Sequence, residues 1–348
     1  MKTSNGYSRI QTICLIILTA IAAAAAVYWL RPVLIPFVLA LFIAIALSPI
    51  VDLLRRRARL PRIAAVTLTL ILGFVVLGAV GVLVSVSVGD IAANADMYRD
   101  RVESLINWLV NAAPLDKLGV DREQLLQPFS QISGEAVGKL LLSTSRTLGD
   151  IISKGAMVFI FLCFLMFGGT GRALPADTRW GEIEASVKRY IVAKTLLSAA
   201  TGILVGSALW ILGIPLAVVF GLLAFLLNFI PSIGSILAVL LPVPVVLLSP
   251  DISPVTAVLA IALPGAVELT IGNVVEPRIM GKRLDLHPVV VIMALIFWGM
   301  LWGIIGMFLA TPMTAVARIL LQKHELTRPA AELLSGRITR EKGAEPNA

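Results

Sequence analysis

Glu268 has the most chemistry to offer in this chain, because it stands mid-way along an apolar stretch, PGAVELTIGN. A lone carboxylate at membrane depth is costly and turns towards a bundle interior or water. There it could carry a proton or hold a monovalent cation. Its plainer role is a neutral side chain hydrogen-bonded to a neighbouring helix. Pro264-Gly265, just before it, reads as a helix break, and Asn273, little more than a turn beyond, shares its path. Asn228, in NFIPSIG, is placed either to cap a broken helix end or to touch a solute. Lys194 opens a further apolar run. Such a side chain ordinarily snorkels to the interface, and its functional alternative is a pairing with Glu268.

A second polar group is the loop EPRIMGKRLDLHP. Glu276, Arg278, Lys282, Arg283 and Asp285 crowd between two membrane segments. They suit a salt-bridged gate, or simply a solvated basic loop. Pro277 comes directly after the glutamate, and Gly281 supplies a turn. Pro288 suits the first turn of the next helix. His287 could titrate near neutral pH or bond locally.

Much else is excluded. Cys14 and Cys163 both lie in apolar runs, and two histidines cannot build a metal cluster. A Walker-type phosphate loop, GxxxxGK[ST], is missing. No metal, no cofactor and no enzymatic activity are expected, and any drive must come from an ion gradient or the solute's own. The formal charge of +8 invites a nucleic-acid partner. Basic loops on the cytoplasmic side of a membrane explain it better, and no aromatic-plus-basic platform is present.

The elements that must position these residues are membrane helices. The chain is 58% hydrophobic and 14% charged, with a mean hydropathy of +0.94; soluble domains carry about 25% charged residues. Several runs exceed the roughly 18 apolar residues that mark a span. The fold class is all-α: a polytopic membrane protein of about eight membrane segments, in contact with the lipid bilayer throughout. Spans are expected near 10–30, 33–51, 63–88, 151–169, 190–212 and 254–275, with a tight reversal at Arg31-Pro32. The first is a retained helix rather than a cleaved signal. Arg55, Arg56, Arg57, Arg59 and Arg62 form the densest basic cluster, so their loop is cytoplasmic by the positive-inside rule, and both chain ends with it.

Two further runs, Ile214 to Leu248 and Val289 to Leu320, are each too long and too broken for one span. They read as hairpins that enter and leave the bilayer on the same side. Pro231 and Gly234 break the first; Gly303, Gly306 and Pro312, near Trp298 and Trp302, break the second. NFIPSIG-SILA resembles WGIIG-MFLA, and each leads to a proline, Pro242 or Pro312. Counted with their preceding spans, the two hairpins form an inverted repeat, an arrangement typical of secondary transporters. Gly202–Gly206 and Gly299–Gly303 have small-residue spacing for close helix packing.

The expected organisation is membrane segments 1–3 over 1–89, then an outward segment over 90–150, richer in acids than bases and amphipathic at helical spacing. Segment 4 and a cytoplasmic loop come next over 151–189, then a transport core over 190–320 and a cytoplasmic tail over 321–348.

NVVEPRIMGKRLDLHPVV, GMFLATPMTAV and NFIPSIG together resemble the AI-2E family of bacterial transporters over nearly the whole chain. The resemblance implies a homo-oligomeric inner-membrane permease. It implies a cargo of either the quorum-sensing signal autoinducer-2, which would be exported, or a monovalent cation exchanged for protons by Na+(Li+)/H+ antiport. The motif positions of the family fall on Asn228, Pro231, Gly234, Glu276, Pro277, Gly281, His287 and Pro288. A passive pore and a membrane assembly factor are the remaining classes.

Overall fold

A computed structural model describes residues 4–93, 101, 104, 154–168, 179–231, 233–249, 252–280, 288–322, 327, 331–332 and 334–335. Nearly all of the expected outward segment over 90–150, and Gly281, Lys282, Arg283, Asp285 and His287 of the motif loop, lie outside the described residues.

Every regular element among the described residues is helical. In order these are α1 (Ser4–Trp29), α2 (Arg31–Arg57), α3 (Arg62–Ala93), α4 (Lys154–Gly168) and α5 (Arg179–Ile211). The first hairpin comes next as α6 (Ala217–Leu227), α7 (Ile233–Leu240) and α8 (Pro242–Leu248). Then come α9 (Pro254–Thr270), a π-helical turn over Ile271–Val275, α10 (Glu276–Met280) and α11 (Pro288–Leu321). Among the described residues, five helices are long and apolar enough to cross a membrane: Arg31–Arg57, Arg62–Ser87, Ala185–Ile211, Pro254–Ile279 and Val289–Arg318. Large apolar side chains stay exposed along the helices, with Phe164 at 73% and Trp210 at 72%. Contiguous apolar surface on this scale needs lipid as its solvent. The chain is therefore a multi-pass membrane protein.

Local chemistry explains several boundaries. Helix α5 stops at Gly213, whose φ of 71° the missing side chain permits. The Ile214 N–H then reaches back to the Leu209 carbonyl (3.0 Å), and the Gly213 N–H to that of Trp210 (3.0 Å), closing a Schellman motif. Helix α9 starts with Ser253, whose hydroxyl accepts from the Thr256 N–H at 3.1 Å, with Pro254 next in the first turn. Between α1 and α2, where a tight reversal at Arg31-Pro32 was expected, only Leu30 stands outside the two helices. The Leu30 N–H donates to Ala26 and the Leu34 N–H to Leu30, both at 2.9 Å, so helical bonding resumes directly past Arg31-Pro32. The Arg31 guanidinium caps this point by stacking on Tyr28, 4.5 Å from the ring centre.

The chain falls into two compact units. One comprises Met1–Ala46, Met157–Ile191 and Lys282–Ala348, the other Leu47–Ala156 and Val192–Gly281. In the second unit the apolar core is drawn from α5 (Val205, Leu209), the first hairpin (Ala217, Phe220, Ala224, Ala238, Val246) and α9 (Ala260). Small residues let α5 and α6 meet backbone to backbone. A Cβ on Gly202 would stand 2.7 Å from the Gly221 carbonyl oxygen, and one on Gly221 would stand 2.8 Å from the Gly206 Cα. The Gly202–Gly206 spacing thus does serve close helix packing, with Gly221 as its partner.

In the first unit, α11 is a hairpin and not a straight rod. Its backbone turns at Gly303 (φ 66°, ψ −147°). The Trp298 indole N–H donates to the Thr314 hydroxyl at 3.1 Å, although the two are 16 residues apart. On a straight helix that separation would span about 24 Å. Gly299 packs on Met307 of the returning leg, so the Gly299–Gly303 spacing belongs to this reversal and not to a meeting of separate helices. Pro312, expected as a further break, sits inside the helical returning leg. A proline removes one main-chain bond, and surrounding protein at membrane depth can absorb that loss. At Pro242 the regular bonding is interrupted for one residue only, Leu241, whose φ of −60° and ψ of −37° stay helical.

Candidate functional site

One buried stripe of α5 carries the first set of polar groups. Lys194, Ser198, Thr201, Val205 and Leu209 recur at helical spacing and are all 3% exposed or less. The stripe is polar at its beginning and apolar at its end. Asn228, at the C-cap of α6 where the first hairpin turns, meets its polar part. The Asn228 side-chain amide donates to Ser198 Oγ at 3.1 Å and to Thr201 Oγ1 at 3.4 Å. Thr201 in turn donates to the Leu197 carbonyl at 3.0 Å. Asn228 therefore ties the hairpin turn to α5 through its side chain, and does not cap the helix end with it.

The turn after Asn228 is narrow. Pro231 lies in it, and a Cβ on Gly234 would collide with the carbonyl of Leu227. A Cβ on Gly306 would likewise collide with the carbonyl of Trp298. These are the two glycines that the NFIPSIG and WGIIG segments align, and each closes its own hairpin by admitting a carbonyl from the opposite leg.

Helix α9 and the short helix α10 supply the acids. Glu268 is 4% exposed. Neither of its oxygens completes a hydrogen bond among the described residues. The Ser235 hydroxyl, the Lys194 ammonium and the Glu276 carboxylate are its electrostatic neighbours. The break expected at Pro264-Gly265 is not there, since α9 runs through both. The irregularity comes three residues after Glu268, as the π turn over Ile271–Val275. A π turn holds one surplus residue. On a regular α-helix, residues eight apart point about 80° away from each other; with one residue taken up by the wide turn the offset falls to about 20°. Glu268 and Glu276 thereby share a face.

Lys194 Nζ lies 2.7 Å from Glu276 Oε1 and 2.9 Å from Oε2. The lysine side chain is 4% exposed and the glutamate side chain 25%. Lys194 therefore neither snorkels nor pairs with Glu268, as its sequence position had suggested. Its long stem points inward because an acid two turns past Glu268 is waiting for it.

Together these groups line a cavity of about 560 Å³ beneath the first hairpin. Lys194, Asn228, Pro231, Glu268, Asn273 and Glu276 all face it. So does Ser235, which, with Ser198 and Thr201 behind Asn228, the sequence reading missed. The spacing of Ser198 and Thr201 from Lys194, one and two turns on, was the available signal. Gly303, Gly306 and Pro312 belong to the other unit. Pro277 and Arg278 are exposed on α10, and Pro288 begins α11. No group of three or more metal-binding side chains occurs among the described residues.

A helical membrane protein with hairpins broken inside apolar runs, and with ionisable groups around a cavity at one of them, has the construction of a transporter. The family model described as AI-2E family transporter matches residues 15–325, and the chain belongs to that family. It is 32% identical over 313 residues to the AI-2 transport protein TqsA of Escherichia coli strain K12, covering 87% of this chain and 89% of that one. Similarity to "Putative transport protein YhhT" of the same strain is 29% over 316 residues, covering 87% and 86%. With "Putative transport protein MT0215" of Mycobacterium tuberculosis it is 30% over 325 residues, covering 86% of each. The family and these relatives are described as transporters and not as enzymes.

Proposed function

We propose that this chain is a secondary transporter of the bacterial inner membrane. It exports a small polar solute through the cavity under the first hairpin, with Glu268 carrying the coupling proton or cation. Autoinducer-2 is the first solute to try, because a relative that aligns over most of both chains is named for its transport. The observation that carries the reading is Glu268: a carboxyl group buried in a membrane span, facing a cavity, with only the Ser235 hydroxyl as a donor beside it and no ion-pair partner of its own among the described residues. Such a group is expensive to keep, and in membrane proteins it marks an ion or substrate pathway. The working form is a homo-oligomer with both termini in the cytoplasm; the charge of the loops supports that orientation.

Monovalent cation/proton antiport is the second reading. It is favoured by the same oxygens, together with the amide groups of Asn228 and Asn273 on the same cavity. One experiment separates the two. The purified chain is reconstituted in liposomes, and internal pH is followed while Na+, Li+, K+ and then autoinducer-2 are added. Uptake of autoinducer-2, with no response to cations, supports the solute exporter. Proton movement evoked by Na+ or Li+ supports antiport. In either case Glu268→Gln should abolish coupled flux while leaving assembly intact, and normal coupled transport by that variant removes Glu268 from the mechanism.

A further inference from the structure

We propose that Lys194 is an exchangeable counter-ion, held by Glu276 while Glu268 is loaded and passing to Glu268 when Glu268 gives up its proton or cation. This rests on the reading of Glu268 as the carrier and adds the partner that lets it discharge.

Among the described residues, three ionisable groups line the cavity: Lys194 from α5, Glu268 from α9 and Glu276 from α10. The other polar groups on it, Asn228, Ser235 and Asn273, carry no charge. Two acids share one ammonium, so with every group ionised one negative charge is left over. The ammonium has gone to Glu276, with both oxygens engaged. Glu268 is left with no cation and only the Ser235 hydroxyl beside it, and a buried carboxylate without an opposite charge is the costly arrangement. The site is therefore neutral as a whole when Glu268 holds a proton or a monovalent cation.

Exposure decides where the ammonium goes once that load leaves. Glu276 has a quarter of its side chain open and can be hydrated. Glu268, 4% exposed, meets water only over a small edge and is hydrated far less. The anion formed at Glu268 needs the ammonium more than Glu276 does. The wide turn has set both acids on one face, and a lysine stem has four flexible carbons with which to move between them. In the step itself the Glu268 O–H bond breaks and its proton passes to water in the cavity, or a bound cation departs. The Lys194–Glu276 ion pair opens, a Lys194–Glu268 pair forms, and Glu276 is left as a hydrated carboxylate. Loss of the load from α9 thus unfastens α10 from α5, so the charge on one acid is read out as a change in what ties two helices together.

The test uses dicyclohexylcarbodiimide, which modifies carboxyl groups that carry a proton in an apolar setting. The full-length protein is labelled in detergent at neutral pH, and the Glu268 peptide is quantified by mass spectrometry. Wild type should be labelled at Glu268. In Glu276→Gln the ammonium has nowhere else to go, so labelling should fall roughly tenfold or more, as an adjacent opposite charge favours the ionised acid. Adding Lys194→Met to Glu276→Gln should restore it. Glu276→Asp, which keeps the charge on a shorter arm, should label at an intermediate rate, and it decides the matter if Glu276→Gln is not recovered folded. An unlabelled wild type, or equal labelling across these variants, overturns the exchange. Liposome flux of Glu268→Gln tests the carrier separately. If coupled flux needs Glu268 while labelling ignores Glu276 and Lys194, the counter-ion role alone fails; if Glu268→Gln transports normally, the carrier reading itself fails.

Discussion

Lys194 and Glu276 stand 82 residues apart in the chain, yet a single ammonium bridges both oxygens of a single carboxylate, at 2.7 and 2.9 Å. The pair joins the start of the buried stripe on α5 to the short helix beyond the π turn. Its acid is partly open and its base is not, so removing either partner leaves a different residue in difficulty.

That asymmetry gives the first prediction. Glu276→Gln takes away the partner that now holds a buried ammonium and should lower stability by about 2–4 kcal/mol, near the range for breaking a buried pair, the lower end applying where Glu268 takes over the ammonium. Lys194→Met strands only a partly hydrated carboxylate and should cost less. The double variant should be more stable than the sum of the two losses implies. Thermal unfolding of the four proteins in one detergent measures this; strictly additive losses would show that the pair contributes no coupling.

The hairpin glycines give the second. Gly234→Ala and Gly306→Ala each force a methyl group into a backbone carbonyl of the opposite leg. Both should sharply reduce the yield of monodisperse protein. Gly265, on α9, has open space where its side chain would be, and Gly265→Ala should behave as wild type. Comparable yields for all three would mean that the hairpins do not close through these glycines.

Trp298 and Thr314 fasten the two legs of α11 with one hydrogen bond. Trp298→Phe and Thr314→Val should each destabilise the protein. Their coupling in a double-mutant cycle should be about 0.6–1.7 kcal/mol, the range for hydrogen bonds between membrane helices. A coupling near zero would place the two residues apart in the membrane.

At the first hairpin turn, Asn228→Ala removes the donor that Ser198 and Thr201 receive. It should cost about 1 kcal/mol in stability and slow transport several-fold, since the amide lines the cavity as well as anchoring the turn. Matching the unfolding temperature of Asn228→Ala against its flux in liposomes separates the two contributions. Unchanged flux would leave Asn228 as a structural anchor only.

Much of this architecture is legible from local sequence because its causes are local. Apolar length marks the spans, and a glycine inside a run too long for one span marks each reversal. The alignment of Gly234 with Gly306 needed only two short segments, and both glycines turn out to do the same steric work. Lys194 was readable as an unusual lysine, but its partner was not. Glu268 and Glu276 are both within reach of a sequence argument, and the choice between them depends on packing between helices that are far apart in the chain. The π turn was also beyond reach. One surplus residue in a helix leaves no mark on composition, and Pro264-Gly265, the conspicuous pair nearby, drew the break to the wrong place. Pro312 misled in the same way, since a proline reports a missing main-chain bond but not whether the helix stops.

The wide turn at Ile271–Val275 has a consequence for motion. A helix that stores one surplus residue can release it by slipping, without bending and without breaking its course. If the turn tightened to ordinary α pitch, everything beyond it would rotate by about 100° relative to α9. Glu276 would swing off the shared face and let go of Lys194, while Glu268 stayed where it is. The stretch that would have to rewind contains Gly272 and Asn273, both on the cavity wall. An occupant of the cavity therefore touches the part of the helix that sets its winding, and could turn the far end of that helix like a key.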